Sequence, residues 1–259
     1  MFSYEKKTYL CRTITILHDM SWKETLSEKL NAYIGAEFNY VETKDINDAT
    51  KIDHGCSGIY MEGTIIYFEI KNVPYLLKEH GRRKVALLYT MFKEAITAIA
   101  EPTGAFVNCF APNAFLIVYP GRDESIPAAV VGALKIVHLL TEDLKQQFSF
   151  INGIEFSMGL DHGHIMGTKN PSDNGNDCIT WFGSCVYKAI RIAKECSRPF
   201  YVGISGSIYH SLDESLRIVT RRILGIKKNV EMWSKVTYQY ENVKKHLYQT
   251  NHKISPDEA

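Results

Sequence analysis

The chain has 259 residues, of which 45% are hydrophobic, and its 30 basic and 29 acidic residues give a formal net charge of +1. This length and composition suit one large domain or two small ones with a buried core. The balanced charge argues against a nucleic-acid partner, and no run of about 18 apolar residues predicts a membrane span. Six cysteines are scattered without a CxxC pair, and the charged N-terminus is unlike a secretory signal. We therefore predict reduced thiols, no membrane partner and a cytoplasmic location.

The first segment, residues 1–57, is predicted to be a helical and loop-like prefix. A helix is expected from Ser21 to Ala36, because Glu24 follows Ser21 by three residues in a capping-box pattern. The polar stretch after this helix favours a loop. The first regular signal is the continuous apolar run "GTIIYFE" (63–69), which predicts a buried strand.

Two helices and a hairpin follow this strand in the sequence. Residues 77–100 and 127–148 carry apolar residues at spacings of three and four, which predicts a helix in each range. Between them, "GAFVNCF" (104–110) and "AFLIVYP" (114–120) flank a short Ala-Pro-Asn turn. Two apolar runs around such a turn predict a β-hairpin.

The next part of the chain completes a repeating order of strands and helices. A strand is predicted at 154–160, then a turn at "DHG", a helix from about Ser184 and a strand at 200–204. The order β-α-β-β-α-β is the ferredoxin-like unit, so we predict an α+β fold with an antiparallel-rich sheet and helices on one face. This main domain is assigned to 58–247, and the polar tail 248–259 is expected to be frayed.

Two polar motifs allow a functional and a simpler interpretation. "DHGH" (161–164) contains possible metal ligands, but a turn explains it better, and strand alternation sends Asp161 and His162 to opposite faces. "RRILGIKKN" (221–229) contains four basic residues and is either a phosphate-binding edge or a solvated surface. The solvated surface is the preferred interpretation.

Three segments at the ends of these elements resemble the class III nucleotidyl cyclase domain. The resemblance covers residues 58–210. "YFEIKN" is similar to the family's Phe-x-Asp-Ile-x-Gly-Phe-Thr, and "PNAFLIVY" resembles its Gly-Asp followed by apolar residues. "GLDHGHIMG" with "GSCVYKAIRIA" resembles Gly-Ile-x-x-Gly-x-Val followed by Gly-x-x-Val-Asn-x-Ala-x-Arg-Leu. The polar loop 168–177 lies where the family extends an arm across its dimer. The stand-alone layout looks most like the bacterial antiphage pyrimidine cyclases.

The resemblance implies a site that joins the 3′-hydroxyl of a nucleoside triphosphate to its own α-phosphate. In the family, two Mg²⁺ or Mn²⁺ ions are held by a pair of aspartates, whose positions correspond here to Glu69 and Asn113. The dimer partner supplies an arginine and a ribose-orienting asparagine, which correspond to Arg191 and Tyr187. The positions matched to nucleotide binding are Ile70, Lys71, Asn72, Cys109, Thr180 and Tyr201.

Several of these positions depart from the family pattern and leave three hypotheses open. Asn113 is a neutral amide, and Pro74 replaces a phosphate-loop threonine without offering an N–H. The preferred hypothesis is a cyclase-fold protein with little or no activity. It binds a nucleoside triphosphate or cyclic nucleotide, or supplies Arg191 within a homodimer or a heterodimer with a catalytic subunit. The alternatives are an active divergent cyclase, using Mg²⁺ or Mn²⁺, and an interaction module without nucleotide. For Arg191 itself, a helix-surface salt bridge is an equal alternative.

Overall fold

A computed structural model describes residues 21–43, 45, 52, 56–147, 153–169, 179–196, 198–223, 226–240 and 242–257. The dimerisation arm predicted at 168–177 lies outside the described residues from residue 170 onward. The elements in chain order are α1 (Trp22–Gly35), β1 (Asn39–Glu42), β2 (Ser57–Ile70), α2 (Val73–Ala100), β3 (Phe106–Ala111), β4 (Ala114–Pro120), α3 (Ser125–His138), a π-helical turn (Leu139–Asp143), α4 (Leu144–Gln147), β5 (Phe156–Lys169), β6 (Ile179–Phe182), α5 (Ser184–Glu195), β7 (Val202–Ser205), α6 (Gly206–Ser211), β8 (Ile218–Ile223), β9 (Ile226–Glu231), β10 (Ser234–Tyr240) and β11 (Val243–Thr250).

The strands build one main sheet. In the described part of the chain it has nine strands, in the order β10-β11-β7-β5-β2-β4-β3, with β1 paired to β2 and β6 paired to β5. Within the row β5-β2-β4-β3, each strand is antiparallel to the next, whereas β5 is parallel to β7 and β2 is parallel to β1. With α2 and α3 as the connections, they form the predicted βαββαβ unit. The α+β, ferredoxin-like prediction is therefore confirmed.

The sequence patterns that predicted the first two helices, a capping box and an apolar stripe, agree with the structure. Ser21 caps α1 through a reciprocal pair of bonds: its hydroxyl accepts from the Glu24 N–H at 3.3 Å, and its own N–H donates to the Glu24 carboxylate at 2.8 Å. α2 begins at Val73, four residues before the predicted start, and is interrupted at Gly81, whose φ of +75° favours glycine. The predicted apolar stripe of α2 supplies its buried residues Leu88, Phe92 and Ile96.

The core has two layers, one on each face of the sheet. On the first face α2 and α3 cover Ile66 and Phe68, and on the opposite face α5 covers Ile65 and Tyr67. The prediction that helices lie on one face was therefore wrong. Ile65 and Ile66 are both fully buried although they point to opposite faces. A strand buried on both faces needs a covering layer on each, which a continuous apolar run signals.

Two further predictions were wrong. The "DHG" segment does not turn, because β5 runs straight through it and pairs with β2 from Phe156 to Thr168. The predicted tail begins inside β11, where residues 248–250 pair with β7 and Thr250 is buried. Turn-forming residue types misled the first prediction and polar composition misled the second, because the partner strands of both segments are distant in sequence.

One helical stretch in the described residues, Ser125–Gln146, is long and apolar enough to cross a membrane by length and composition. It contains α3, and Val130, Leu134 and Val137 on this helix are fully buried in the protein core. A core helix of a soluble protein has the same composition.

Candidate functional site

The two predicted metal positions lie side by side at neighbouring strand ends. Glu69 near the end of β2 pairs with Ala114 at the start of β4, and Asn113 immediately precedes β4. The Asn113 amide nitrogen donates to the Ile70 carbonyl at 3.0 Å and, in a longer bond, to the Glu69 carboxylate at 3.4 Å. Both partners are acceptors, which fixes the amide with its nitrogen toward Glu69. Asn113, which the resemblance matched to the second aspartate, thus donates a hydrogen bond to Glu69, which it matched to the first.

This donor set does not fit a pair of Mg²⁺ ions, which require charged oxygen ligands. Among the described residues, no group of three or more His, Cys, Asp or Glu side chains is arranged to hold a metal ion. The neighbouring phenol also stays neutral. Burial, followed by the charge of Glu69, raises the pKa of Tyr67 to about 12. Tyr67 is therefore a protonated donor at neutral pH rather than an anionic ligand.

The segment after Glu69 is bonded to residues 153–155 at the start of α2. Asn72 occupies the N-cap of α2 without a side-chain capping bond. Its amide instead donates to the Gly153 carbonyl at 2.7 Å and accepts from the Glu155 N–H at 3.0 Å. Pro74 lies in the first turn of α2 and has no N–H to offer an anion. The Asn72 side chain thus ties the start of α2 to residues 153–155.

Asn72→Ala is expected to lower the free energy of unfolding by about 1–2 kcal/mol, because two inter-segment hydrogen bonds are lost. Urea denaturation followed by circular dichroism measures the change. Asn229→Ala is the matched control, since Asn229 is exposed and bonds only its cross-strand neighbour Thr220 among the described residues. A variant at position 72 as stable as the control would contradict this role.

The predicted nucleotide-binding residues fall into separate groups. Ile70 is 3% exposed, and its N–H and carbonyl both bond to Asn113. Lys71 is exposed and its ammonium donates to the carbonyl of Cys196, the C-cap of α5. With Asn72, these residues adjoin Glu69. Tyr201 does not: it stacks on Phe156 at 4.9 Å, within the layer covered by α2 and α3.

The two positions that the resemblance matched to base selection lie on neighbouring segments. Cys109 is exposed on β3 and Thr180 is exposed on β6. The adjacent Asn108 donates from its buried amide to the Ile179 carbonyl, which joins the two strands. Neither position carries an acidic or basic side chain.

Arg191 and Tyr187 lie one turn apart on α5. Tyr187 is 61% exposed. The Arg191 guanidinium forms an i,i+4 ion pair with Glu195 at 2.7 Å and donates to the Gln239 carbonyl of β10 at 3.4 Å. The structure therefore contains the helix-surface salt bridge that was the alternative interpretation of Arg191.

Sequence reasoning missed a partly buried chain of polar side chains at the middle of β2. Thr64 bonds Ser125 at 2.7 Å and the His162 ring at 3.0 Å, and the second ring nitrogen of His162 lies 3.3 Å from the Glu62 carboxylate. Asp161 points away, to Lys188 and Ser207, which confirms that Asp161 and His162 face opposite sides. Only the register of β2 and β5 reveals this chain.

A cavity of about 310 Å³ lies beside this polar chain rather than beside Glu69. Its lining includes Glu42, Tyr60, Glu62, Arg122 and His164. Tyr60 and His164 stack at 5.4 Å, and Arg122 pairs with Glu62 at 3.3 Å.

Several solved structures of nucleotide cyclase domains are similar to this chain. The guanylyl cyclase Cya2 is 14% identical, with a TM-score of 0.60, over 78% of this chain and 97% of that one. The adenylyl cyclase CyaB from P. aeruginosa is 16% identical, with a TM-score of 0.58, over 74% and 94%. The guanylate cyclase domain of RhGC from Catenaria anguillulae in complex with GTP is 16% identical, with a TM-score of 0.55, over 75% and 98%. No protein-family model and no curated protein sequence matches the chain.

The protein thus has the fold of the class III adenylyl and guanylyl cyclase catalytic domains, and it covers nearly the whole of that domain. The positions matched to the family's metal aspartates, Glu69 and Asn113, are adjacent in this fold, but one of them is an amide.

Proposed function

We propose that this protein is a cyclase-fold subunit with little or no cyclase activity of its own. It binds a nucleoside triphosphate or a cyclic nucleotide and works in a dimer, as the subunit that supplies Arg191. The observation that carries the proposal is the hydrogen bond from the Asn113 amide to the Glu69 carboxylate. A neutral donor stands where two-metal catalysis needs a second anionic oxygen.

The placement of Arg191 supports a role at a dimer interface. Its ion pair with Glu195 is partly exposed, with 40% and 30% of the two side chains accessible. Exposed pairs of this kind contribute only about 0–1 kcal/mol. A triphosphate brought by a partner subunit would therefore displace Glu195 at little cost. The exposed Tyr187, one turn away, would contact the same partner.

An active divergent cyclase is the second candidate, and one observation favours it. Glu69 and Asn113 are still held side by side, so the strand ends keep the arrangement that positions two metal ligands. In that case the uncharged Cys109 and Thr180 would favour a pyrimidine or a relaxed base choice, as in antiphage pyrimidine cyclases. Glu69→Ala and Arg191→Ala would then each abolish the product.

The test is to incubate the purified protein with Mg²⁺ or Mn²⁺ and each of ATP, GTP, CTP and UTP. We expect no cyclic product but a raised melting temperature with at least one nucleotide, since a bound ligand at 100 times its Kd adds about 2.7 kcal/mol of stability. Arg191→Ala should reduce that shift if the arginine contacts phosphate. Lys194→Ala, an exposed cation on the same helix, is the control and should leave it unchanged.

Two results would contradict the proposal. Robust cyclic product from the protein alone would establish the active cyclase. A flat melting panel with all four nucleotides would favour an interaction module that acts only through protein contacts.

A further inference from the structure

The face of β2 that α2 and α3 cover becomes polar beyond the start of α3. Side chains alternate between the two faces of a strand, so Tyr60 and Glu62 share a face with Thr64 and the buried Ile66. Thr64 bonds Ser125, the first residue of α3, at 2.7 Å. Tyr60 and Glu62 therefore lie past the helical layer, and both line the cavity of about 310 Å³. This volume lies at the lower end of the range for small-molecule sites.

The charges that line this cavity do not cancel. The charged lining residues are Glu42, Glu62 and Arg122. Arg122 and Glu62 form an ion pair at 3.3 Å and neutralise each other. Glu42 is exposed, and among the described residues no ion pair involves it. Two glutamates against one arginine leave one net negative charge, which favours a cationic ligand.

Aromatic rings lie beside the unpaired carboxylate. The rings of Tyr60 and His164, which both line the cavity, stack with centroids 5.4 Å apart and an interplanar angle of 8°. Tyr40 adds a tilted ring 5.7 Å from Tyr60. Glu42 pairs with Tyr60 in the register of β1 and β2, which places its carboxylate next to these rings. Aromatic faces attract ammonium and guanidinium groups, and a nearby carboxylate strengthens that attraction.

Hydrogen bonds hold the walls of the cavity in place. The Thr43 N–H donates to the Tyr60 carbonyl at 3.0 Å, which fixes the end of β1 beside β2. The Gly121 N–H donates to the Glu62 carbonyl at 2.9 Å, and the next residue, Arg122, is held by its pair with Glu62. A ligand thus meets walls that are already ordered, which spares part of the cost of binding.

We propose that this cavity binds a small organic cation, with an ammonium or guanidinium group held by the Glu42 carboxylate and the Tyr60 ring. A divalent metal ion fits less well, because no three suitable ligands converge among the described residues. Tyr60 lies nine residues before Glu69 on β2, roughly 30 Å along an extended strand. The cation site is therefore separate from the proposed nucleotide site.

The test is calorimetric titration of the full-length protein with three cations: n-butylammonium, n-butylguanidinium and tetramethylammonium. The uncharged n-butanol and the anion pentanoate are the ligand controls. At least one cation should bind about tenfold or more tightly than n-butanol, because a charged group gains a charge-assisted contact with Glu42. Its affinity should fall as the salt concentration rises.

Glu42→Gln should weaken binding of that cation about tenfold and leave the melting temperature unchanged, because the side chain is exposed. Glu79→Gln is the matched control, since Glu79 is an exposed glutamate on α2 outside the cavity. It should bind as wild type does. Tyr60→Leu should weaken binding about fivefold, whereas Tyr60→Phe keeps the ring and should retain the affinity.

Three results would overturn the proposal. The first is that no cation binds more tightly than n-butanol. The second is that Glu42→Gln binds the cation as well as Glu79→Gln does. The third is that pentanoate binds most tightly, which would make the cavity an anion site at Arg122.

Discussion

Gly159→Ala is expected to lower the free energy of unfolding by about 3 kcal/mol, at the upper end of typical overpacking costs. A Cβ at this position on β5 would lie 2.0 Å from the Ala189 carbonyl oxygen and 2.4 Å from the Ala193 nitrogen. Both are backbone atoms of α5, so the clash is relieved only by moving the helix. That movement would also displace Arg191, and nucleotide binding should weaken with stability.

Denaturation in guanidinium chloride measures this effect. Gly206→Ala is the control, because a Cβ there meets its nearest neighbour, the Tyr248 ring, at 4.0 Å. The control is expected to change the free energy of unfolding by less than about 1 kcal/mol. Equal stability of the two variants would mean that α5 does not rest on β5 as described.

Asn113→Asp is expected to create a Mn²⁺ site with at least about 100-fold higher affinity than wild type. A second carboxylate near a divalent ion gains several kcal/mol even at an effective dielectric constant of about 20. Without metal, the same substitution should destabilise the protein by about 2–3 kcal/mol. It sets two carboxylates together and removes the donor to the Ile70 carbonyl.

Isothermal titration with Mn²⁺ and melting with and without the ion measure both effects. Asn113→Ala is the matched control, because it removes the amide without adding charge and should gain no affinity. Glu69→Gln in the Asn113→Asp background should abolish the gain. Unchanged Mn²⁺ affinity in Asn113→Asp would mean that these strand ends no longer form a metal-binding geometry.

Much of this architecture is predictable from local patterns in the sequence. The apolar run 63–69, the helical stripe of α2 and the hairpin of β3 and β4 are each set by residues close in the chain. The adjacency of Glu69 and Asn113 follows from the strand order of the ferredoxin-like unit, in which the first and third strands are neighbours.

The features that the sequence did not predict depend on pairing between distant segments. "DHG" has turn-forming residues, yet Gly63 of β2 lies opposite Gly163 and keeps the strand extended. β11 is polar, but it pairs with β7 and so belongs to the main sheet. Asn72 could have capped α2, and only the folded position of residues 153–155 explains why its amide bonds there instead. Such partners leave no periodic signal in the chain.

The most direct test of the central claim is a crystal structure of the wild-type protein with a non-hydrolysable triphosphate and Mn²⁺, with manganese located by anomalous scattering. We predict that the Asn113 amide still donates to Glu69 and that no pair of manganese ions forms beside them. Two manganese peaks about 3.5–4 Å apart, with Glu69 as a shared ligand, would contradict the account and identify an active two-metal cyclase.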